Sequence, residues 1–240
     1  MVRHSFIFLP KIGIKKNNKI KRQVKDWNGF LNAEKIKGIE KENKKKYDSL
    51  IEKAKEHLQK EESRAFANWP KREMFRIYDY FKEEAKYLDI EVDQAGKPIM
   101  VGIYDGEKTK TWVKGINWDM SKIAKELSKA KVLVTFNGSA FDLPKLRSEG
   151  VVFDGPHYDL KGACQRIRLK GGLKEIEKKL NLKRPEHLYG NPVELWKAMH
   201  ASNDGEYFEL LLKYNEEDVI NLENIAAYCT KKMKQEDHEN

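Results

Sequence analysis

The chain's 240 residues suffice for one substantial domain with a small attachment, and a 35% share of charged residues leaves no apolar run of about 18 to span a membrane. Two cysteines without a Cys-x-x-Cys pair, Cys164 and Cys229, suggest neither a disulfide framework nor a zinc site, and residues 1–10 are too short and too lightly apolar for a secretory signal; a cytosolic protein is expected. The net charge of +9 is uneven: residues 1–62 hold 17 Lys and Arg against 9 Asp and Glu, and the remainder is nearly neutral.

The basic quarter opens with Phe6-Ile7-Phe8-Leu9-Pro10 and runs into Lys11-Ile12-Gly13-Ile14, with seven basic residues and no acid between Lys11 and Lys25. Its Leu-Pro-x-Ile-Gly segment resembles the hairpin of a helix-hairpin-helix element, whose glycine turn presents backbone N–H groups to a phosphate. Lys11 stands where that element usually has its first glycine, so a charge would replace a backbone contact. Lys11, Lys15, Lys16 and Lys19 are candidate nucleic-acid contacts, the alternative being a solvated basic arm. Tyr47, Leu50, Ile51, Ala54 and Leu58 then recur at helical intervals in a Lys- and Glu-rich stretch whose charges read as a wet face. After a break at Trp69-Pro70, Met74, Ile77, Tyr78 and Phe81 predict another helix, with Arg72 and Arg76 one turn apart on it, expected as solvated surface with contact to a phosphate backbone the alternative.

Strands are predicted near Lys86–Val92, Ile99–Tyr104, Thr109–Val113 and Val132–Phe136. Helices are predicted over Ser121–Ala130, Leu143–Glu149, Leu173–Leu180 and Val193–Met199, and from a cap at Asp204 to about Met233. Three antiparallel strands followed by alternating helix and strand imply an α/β fold, a mixed sheet covered by helices.

Acids interrupt this pattern in three places. In the first strand Asp89 and Glu91 share one face while Leu88, Ile90 and Val92 share the other, and two neighbouring carboxylates need a proton or a cation between them. Asp142 follows Asn137-Gly138-Ser139-Ala140-Phe141 in the loop after the Val132–Phe136 strand; it is either a ligand-binding group at a strand's carboxyl end or a cap of the next helix. Tyr207, Leu211, Tyr214, Asp218, Leu222 and Ile225 form one inward stripe of the last helix, where an unpaired carboxylate would be costly. Oxygen ligands of this kind suit Mg²⁺ or Mn²⁺.

Asp-x-Glu, Asn-x-x-x-Phe-Asp and Tyr-x-x-x-Asp, in this order, resemble the three exonuclease motifs of the DEDD superfamily in its tyrosine-containing branch. Within it, the chain is similar to the YprB-type proteins, whose ribonuclease H-like domain is also preceded by a short Leu-Pro-x-Ile-Gly segment. The resemblance implies a ribonuclease H-like domain over 86–236, after a basic helical region at 1–62 and a helical connector at 63–85. It implies a 3′ to 5′ exonuclease with two divalent cations, Mg²⁺ or Mn²⁺. Asp89 would bridge the two ions, Glu91 and Asp218 would complete one site, Asp142 would hold the other, and Tyr214 would orient the attacking water. A ribonuclease or structure-selective endonuclease on the same fold is the alternative enzyme, and a non-catalytic nucleic-acid-binding module the alternative of another class. The expected partner is nucleic acid, with DNA favoured over RNA on the hairpin resemblance alone.

Other residues carry open readings. Asn137 can meet substrate or stabilise its turn, and Asp159, ending a short extended run, can support the acids or cap a helix. Arg166, Arg168, Lys170 and Lys174 flank Gly171-Gly172 and can track a strand of nucleic acid, with Arg166 and Arg168 the candidate contacts. Phe141, Tyr189 and Trp196 are candidates for base stacking or for core. His157, His187 and His200 show no metal-ligand spacing.

Overall fold

A computed structural model describes residues 1–182, 184–185, 191–202 and 204–239. His187 and Tyr189, singled out above, lie outside the described residues.

Five strands form one mixed sheet: β1 (Ala85–Val92), β2 (Pro98–Tyr104), β3 (Thr109–Val113), β4 (Val132–Thr135) and β5 (His157–Asp159), in the order β3-β2-β1-β4-β5. Tight turns join β1, β2 and β3 into an antiparallel meander. The chain then crosses through α5 (Met120–Ser128) to β4, which runs parallel to β1, and through α6 (Asp142–Ser148) to β5, which runs parallel to β4. Parallel pairing needs such a crossover because the strand must restart from the same end.

Alternation along β1 sorts the two faces of the sheet. Leu88 and Ile90 join Val101, Ile103 and Leu133 under Ile123, Leu127 and Leu146 of α5 and α6. Tyr87, Val132 and Val134 point the other way, toward Leu222, Ile225, Ala226 and Cys229 of the long α10 (Gly205–Glu239). Asp89 and Glu91 share Tyr87's parity, so the sequence places both acids beneath α10. Leu211, Tyr214, Asp218, Leu222 and Ile225 are buried, as the stripe predicts, and Asp204 Oδ1 accepts from Glu206 N at 2.9 Å just before the helix.

The predicted elements appear with small boundary shifts. β4 ends at Thr135 rather than Phe136, because Asn137 turns the chain with φ of 67°. Asp159 ends β5 and caps α7 (Leu160–Arg166), accepting from Lys161 N at 3.1 Å. α8 (Leu173–Lys179) and α9 (Pro192–Ser202) complete the carboxyl-terminal half.

The amino-terminal part packs on the same core. It comprises α1 (Ile14–Lys21), α2 (Trp27–Asn32), α3 (Lys41–Gln59) and α4 (Met74–Phe81). Phe6, Leu9, Ile12, Ile20 and Trp27 are buried, and one hydrophobic cluster runs from Val2 through Tyr87 to Met233. Tyr47 Oη donates to Pro10 O at 2.7 Å, and Lys21 pairs with Asp237 at 2.9 Å. A basic arm lying free in solvent is therefore not what the sequence builds, although the side chains of Lys11, Lys15 and Lys19 are exposed. Lys11 holds φ of 61°, the left-handed region that favours glycine, at the position where the hairpin motif has one. Arg76 also departs from its expected place on the surface: it is buried in ion pairs with Glu73 at 2.8 Å and Asp237 at 2.7 Å.

Cys164 and Cys229 are free, buried thiols with sulfurs 3.6 Å apart. Among the described residues no helix is long and apolar enough to cross a membrane.

Candidate active site

Beneath α10, one carboxylate oxygen from each of Asp89, Glu91 and Asp218 lies within 4.8 Å of the others. The approach depends on a glycine. Gly102 of β2 stands opposite Asp89, and a Cβ there would overlap the Oδ1 of Asn215, which is fully buried. With only hydrogen at that point α10 settles onto the sheet, and Asn215 Nδ2 donates to Asp89 Oδ2 at 2.9 Å.

Asp142 arrives from the loop after β4. Phe141 occupies the N-cap and Asp142 is the first residue of α6, only 2% exposed, with its Oδ1 unpartnered among the described residues. The loop that delivers it is clamped from below: Asp159 accepts from Asn137 N at 2.9 Å and Ser139 N at 3.0 Å, and Thr135 Oγ1 accepts from Gly138 N at 3.0 Å. A Cβ on Gly138 would overlap the Thr135 side chain, so this turn too needs glycine. Asn137 thus serves the turn through its left-handed backbone, and Asp159 both caps a helix and supports the acids' loop.

Burial, with repulsion inside the cluster, raises the carboxyls of Asp89, Glu91, Asp142 and Asp218 above their ordinary range. Burial and the charge of Asp142 push Asp89 up to about 7, against the opposing pull of the Asn215 hydrogen bond and Arg184. Burial, then Asp89 and Asp218, carry Glu91 well above the ordinary carboxylate range. Burial raises Asp142 to about 7, and burial with repulsion from Asp89 raises Asp218 to about 8. A divalent cation relieves each of these costs at once, and a set of hard carboxylate oxygens with one buried oxygen unused is a donor set for Mg²⁺ or Mn²⁺.

Tyr214 lies one turn before Asp218. Burial, then the charges of Asp218 and Glu91, push its hydroxyl far above the usual phenol range, so it remains a donor. Cations flank its ring, Lys174 Nζ at 4.4 Å and Arg184 Cζ at 5.0 Å from the centroid.

Sequence reasoning missed the groups that hold these acids. Arg184 is buried, bonded to Asp218 and to Glu177, whose oxygens lie 3.0 and 3.2 Å from its Nη2. Asn221 Nδ2 donates to the same Glu177 at 3.0 Å. Asn215 and Asn221 interrupt an apolar helix face, and Gly102 interrupts a strand; both are readable signals of close polar packing. Nothing in the sequence around Arg184 announced it.

Lys11, Lys15, Lys16 and Lys19 stand on and just before α1. Arg166 Nη1 donates to Arg72 O at 2.6 Å, and Arg168 is exposed with φ of 64°. Phe141 is half-buried beneath Lys145, and Trp196 packs beside Leu211. His157 is held neutral by burial, which lowers it to about 4, and meets Thr135 Oγ1 at 2.8 Å; His200 contacts the Trp196 ring.

The family model described as RNase_H superfamily matches residues 86–230, more than half of the chain, with all four acids and the sheet from Lys86 onward. No curated protein matches the chain. That superfamily is generally one of nucleases using divalent metals on nucleic acid, which the acid cluster accommodates. With its five-stranded mixed sheet flanked by helices, the chain belongs to the RNase H superfamily.

Proposed function

We propose that the protein is a metal-dependent 3′ to 5′ exonuclease acting on nucleic acid, DNA in preference to RNA. The convergence of Asp89, Glu91 and Asp218 within 4.8 Å, on a strand and a helix far apart in sequence, carries the reading. The pairing of Tyr214 with Asp218, which resembles the tyrosine-containing exonuclease branch, supports exonuclease over endonuclease. Asp89, Glu91 and Asp218 would hold one divalent cation and Asp89 with Asp142 a second, supplying a nucleophilic water and charge stabilisation at the leaving oxygen.

The chain's own groups do the rest. Tyr214, fixed as a donor, orients the attacking water rather than deprotonating it. Arg184 supplies positive charge where an anionic phosphate must approach carboxylates. Asn215 fixes one Asp89 oxygen, and among the described residues the other accepts no hydrogen bond.

The deciding experiment uses end-labelled single-stranded and duplex DNA and RNA with Mg²⁺, Mn²⁺ or EDTA. Stepwise shortening from the 3′ end in metal alone is expected. Internal cuts would replace the exonuclease reading, and cleavage surviving in EDTA would remove the metal.

A further inference from the structure

The loop that ends on Asp142 begins on Asn137 and Ser139, and these line a second concavity, a cavity of about 560 Å³. Four cations ring it from two parts of the chain. Lys71 and Arg72 come from the turn before α4, Lys161 and Arg166 from α7. The two parts are tied together by Arg166 Nη1 on Arg72 O at 2.6 Å, and the Arg166 guanidinium rests over Phe75, 5.1 Å from its centroid.

These charges are only partly matched internally: Glu73 and Glu236 act on Arg166, and Glu73 on Arg72, while the two lysines stand apart. Among the described residues the ammonium groups of Lys71 and Lys161 make no hydrogen bond or ion pair. Arg72 Nε is buried without a hydrogen-bond partner, and its nearest acid, Glu73, stands 3.8 Å away and is already bonded to Arg76. The wall's one carboxylate, Asp159, is occupied by the backbone N–H groups of Asn137, Ser139 and Lys161. Tyr158, Ala163 and Met233, each more than nine-tenths buried, form a small apolar floor.

Two free lysines and two partly matched arginines over a small apolar floor suit an anion with a flat apolar part, and the volume falls in the roughly 300–1,000 Å³ range of small-ligand sites. We propose that this cavity binds a nucleotide unit, its phosphate against Arg72, Arg166, Lys71 and Lys161 and its base against Ala163 and Met233. Asn137 and Gln165 offer amides for the base's polar edge. The choice of a nucleotide over other aromatic phosphates rests on the nuclease reading, because the same loop forms the cavity wall and carries Asp142. The unit can belong to the substrate strand or be a free mononucleotide.

Binding is measured in EDTA, without cleavage, using a fluorescent oligothymidylate and thymidine monophosphate as competitor. One variant is Lys71→Glu with Lys161→Glu. The other is Gly162→Phe, which fills the cavity from an exposed helical position where a Cβ meets no atom within 4 Å. Melting curves check that both fold. Each is expected to weaken oligonucleotide binding about tenfold or more, with the charge reversal losing its effect at high salt and the filled cavity keeping it. Competition by the monophosphate assigns the site to free nucleotide as well, and weakened oligonucleotide binding without competition assigns it to the strand alone. Wild-type affinity in both variants, or no binding of either probe by the wild type, overturns the proposal. The nuclease reading fails separately, if Asp89→Asn cleaves like the wild type.

Discussion

Arg184 and Asp218 form a buried ion pair inside the acid cluster, and Glu177 grips the same guanidinium from α8. The arrangement ties the helix that carries the motif tyrosine to a segment beyond α8 and places a fixed positive charge among the acids. Removing only the cation leaves buried carboxylates unpaired, a loss of about 3–5 kcal/mol for pairs of this kind. Arg184→Met should therefore lower stability in urea unfolding with EDTA by that order. Replacing Glu177 by Met in the same chain should recover much of the loss. A single variant as stable as the wild type would show that the pair is not formed in solution.

The raised carboxyls make the metal-free protein sensitive to pH in a defined direction. A carboxyl that titrates near 7 when folded and near 4 when unfolded holds its proton more tightly in the native state, so stability falls as pH rises through that window. The Asp89→Asn variant loses one such group. In EDTA it should match the wild type near pH 4 and melt about 3 °C or more above it near pH 8, where the wild type carries the full cost. Divalent metal should raise the wild-type melting temperature most at the high end of the range. A gap that widens toward low pH would reverse the assignment.

The acids were legible in the sequence because each breaks a rule of its element: two carboxylates on one strand face, one after a strand of four buried residues, one in an apolar helix stripe. Their supports were not. Arg184 lies 34 positions from its partner Asp218, and a basic residue among many in a chain with 47 Lys and Arg carries no local signature. Arg76 failed for the opposite reason, since helical spacing alone cannot tell that Asp237 on the last helix will fold back against it. The amino-terminal segment misled through its charge, and only the tertiary fold shows that its apolar residues Phe6, Leu9, Ile12 and Ile20 enter the main core.

Gly102 and Asn215 should behave as a coupled pair. Gly102→Ala drives a methyl group into the Asn215 side chain, pushing α10 off β2 beside Asp89, with a cost of about 1–3 kcal/mol for an overpacked core. Asn215→Ala removes the obstacle, so the double variant should be more stable than the sum of the single losses predicts. Strict additivity in chemical denaturation would mean that the helix does not sit this close.

Tyr214→Phe isolates the hydroxyl, since the ring keeps its packing and its two cationic neighbours. If the hydroxyl orients the attacking water, single-turnover cleavage should fall by about a hundredfold, the scale of losing one positioned donor, while substrate affinity measured in EDTA holds. An equal loss in affinity would make the hydroxyl a substrate contact. Unchanged cleavage would leave Tyr214 as core.

The exposed lysines of α1 test whether charge outside the catalytic half attracts nucleic acid. Deleting residues 1–25 would strip Phe6, Leu9, Ile12 and Ile20 from the core, so charge reversal is the cleaner change. Lys15 and Lys19 are exposed and one helical turn apart, and Lys15→Glu with Lys19→Glu leaves the buried face of α1 intact. If both meet phosphates, the slope of log affinity against log salt should flatten by about 0.7–0.9 for each phosphate no longer neutralised. KM should rise with it while cleavage at saturating substrate persists, because the acids and Tyr214 lie elsewhere. Equal salt slopes for the two proteins would return these lysines to solvent.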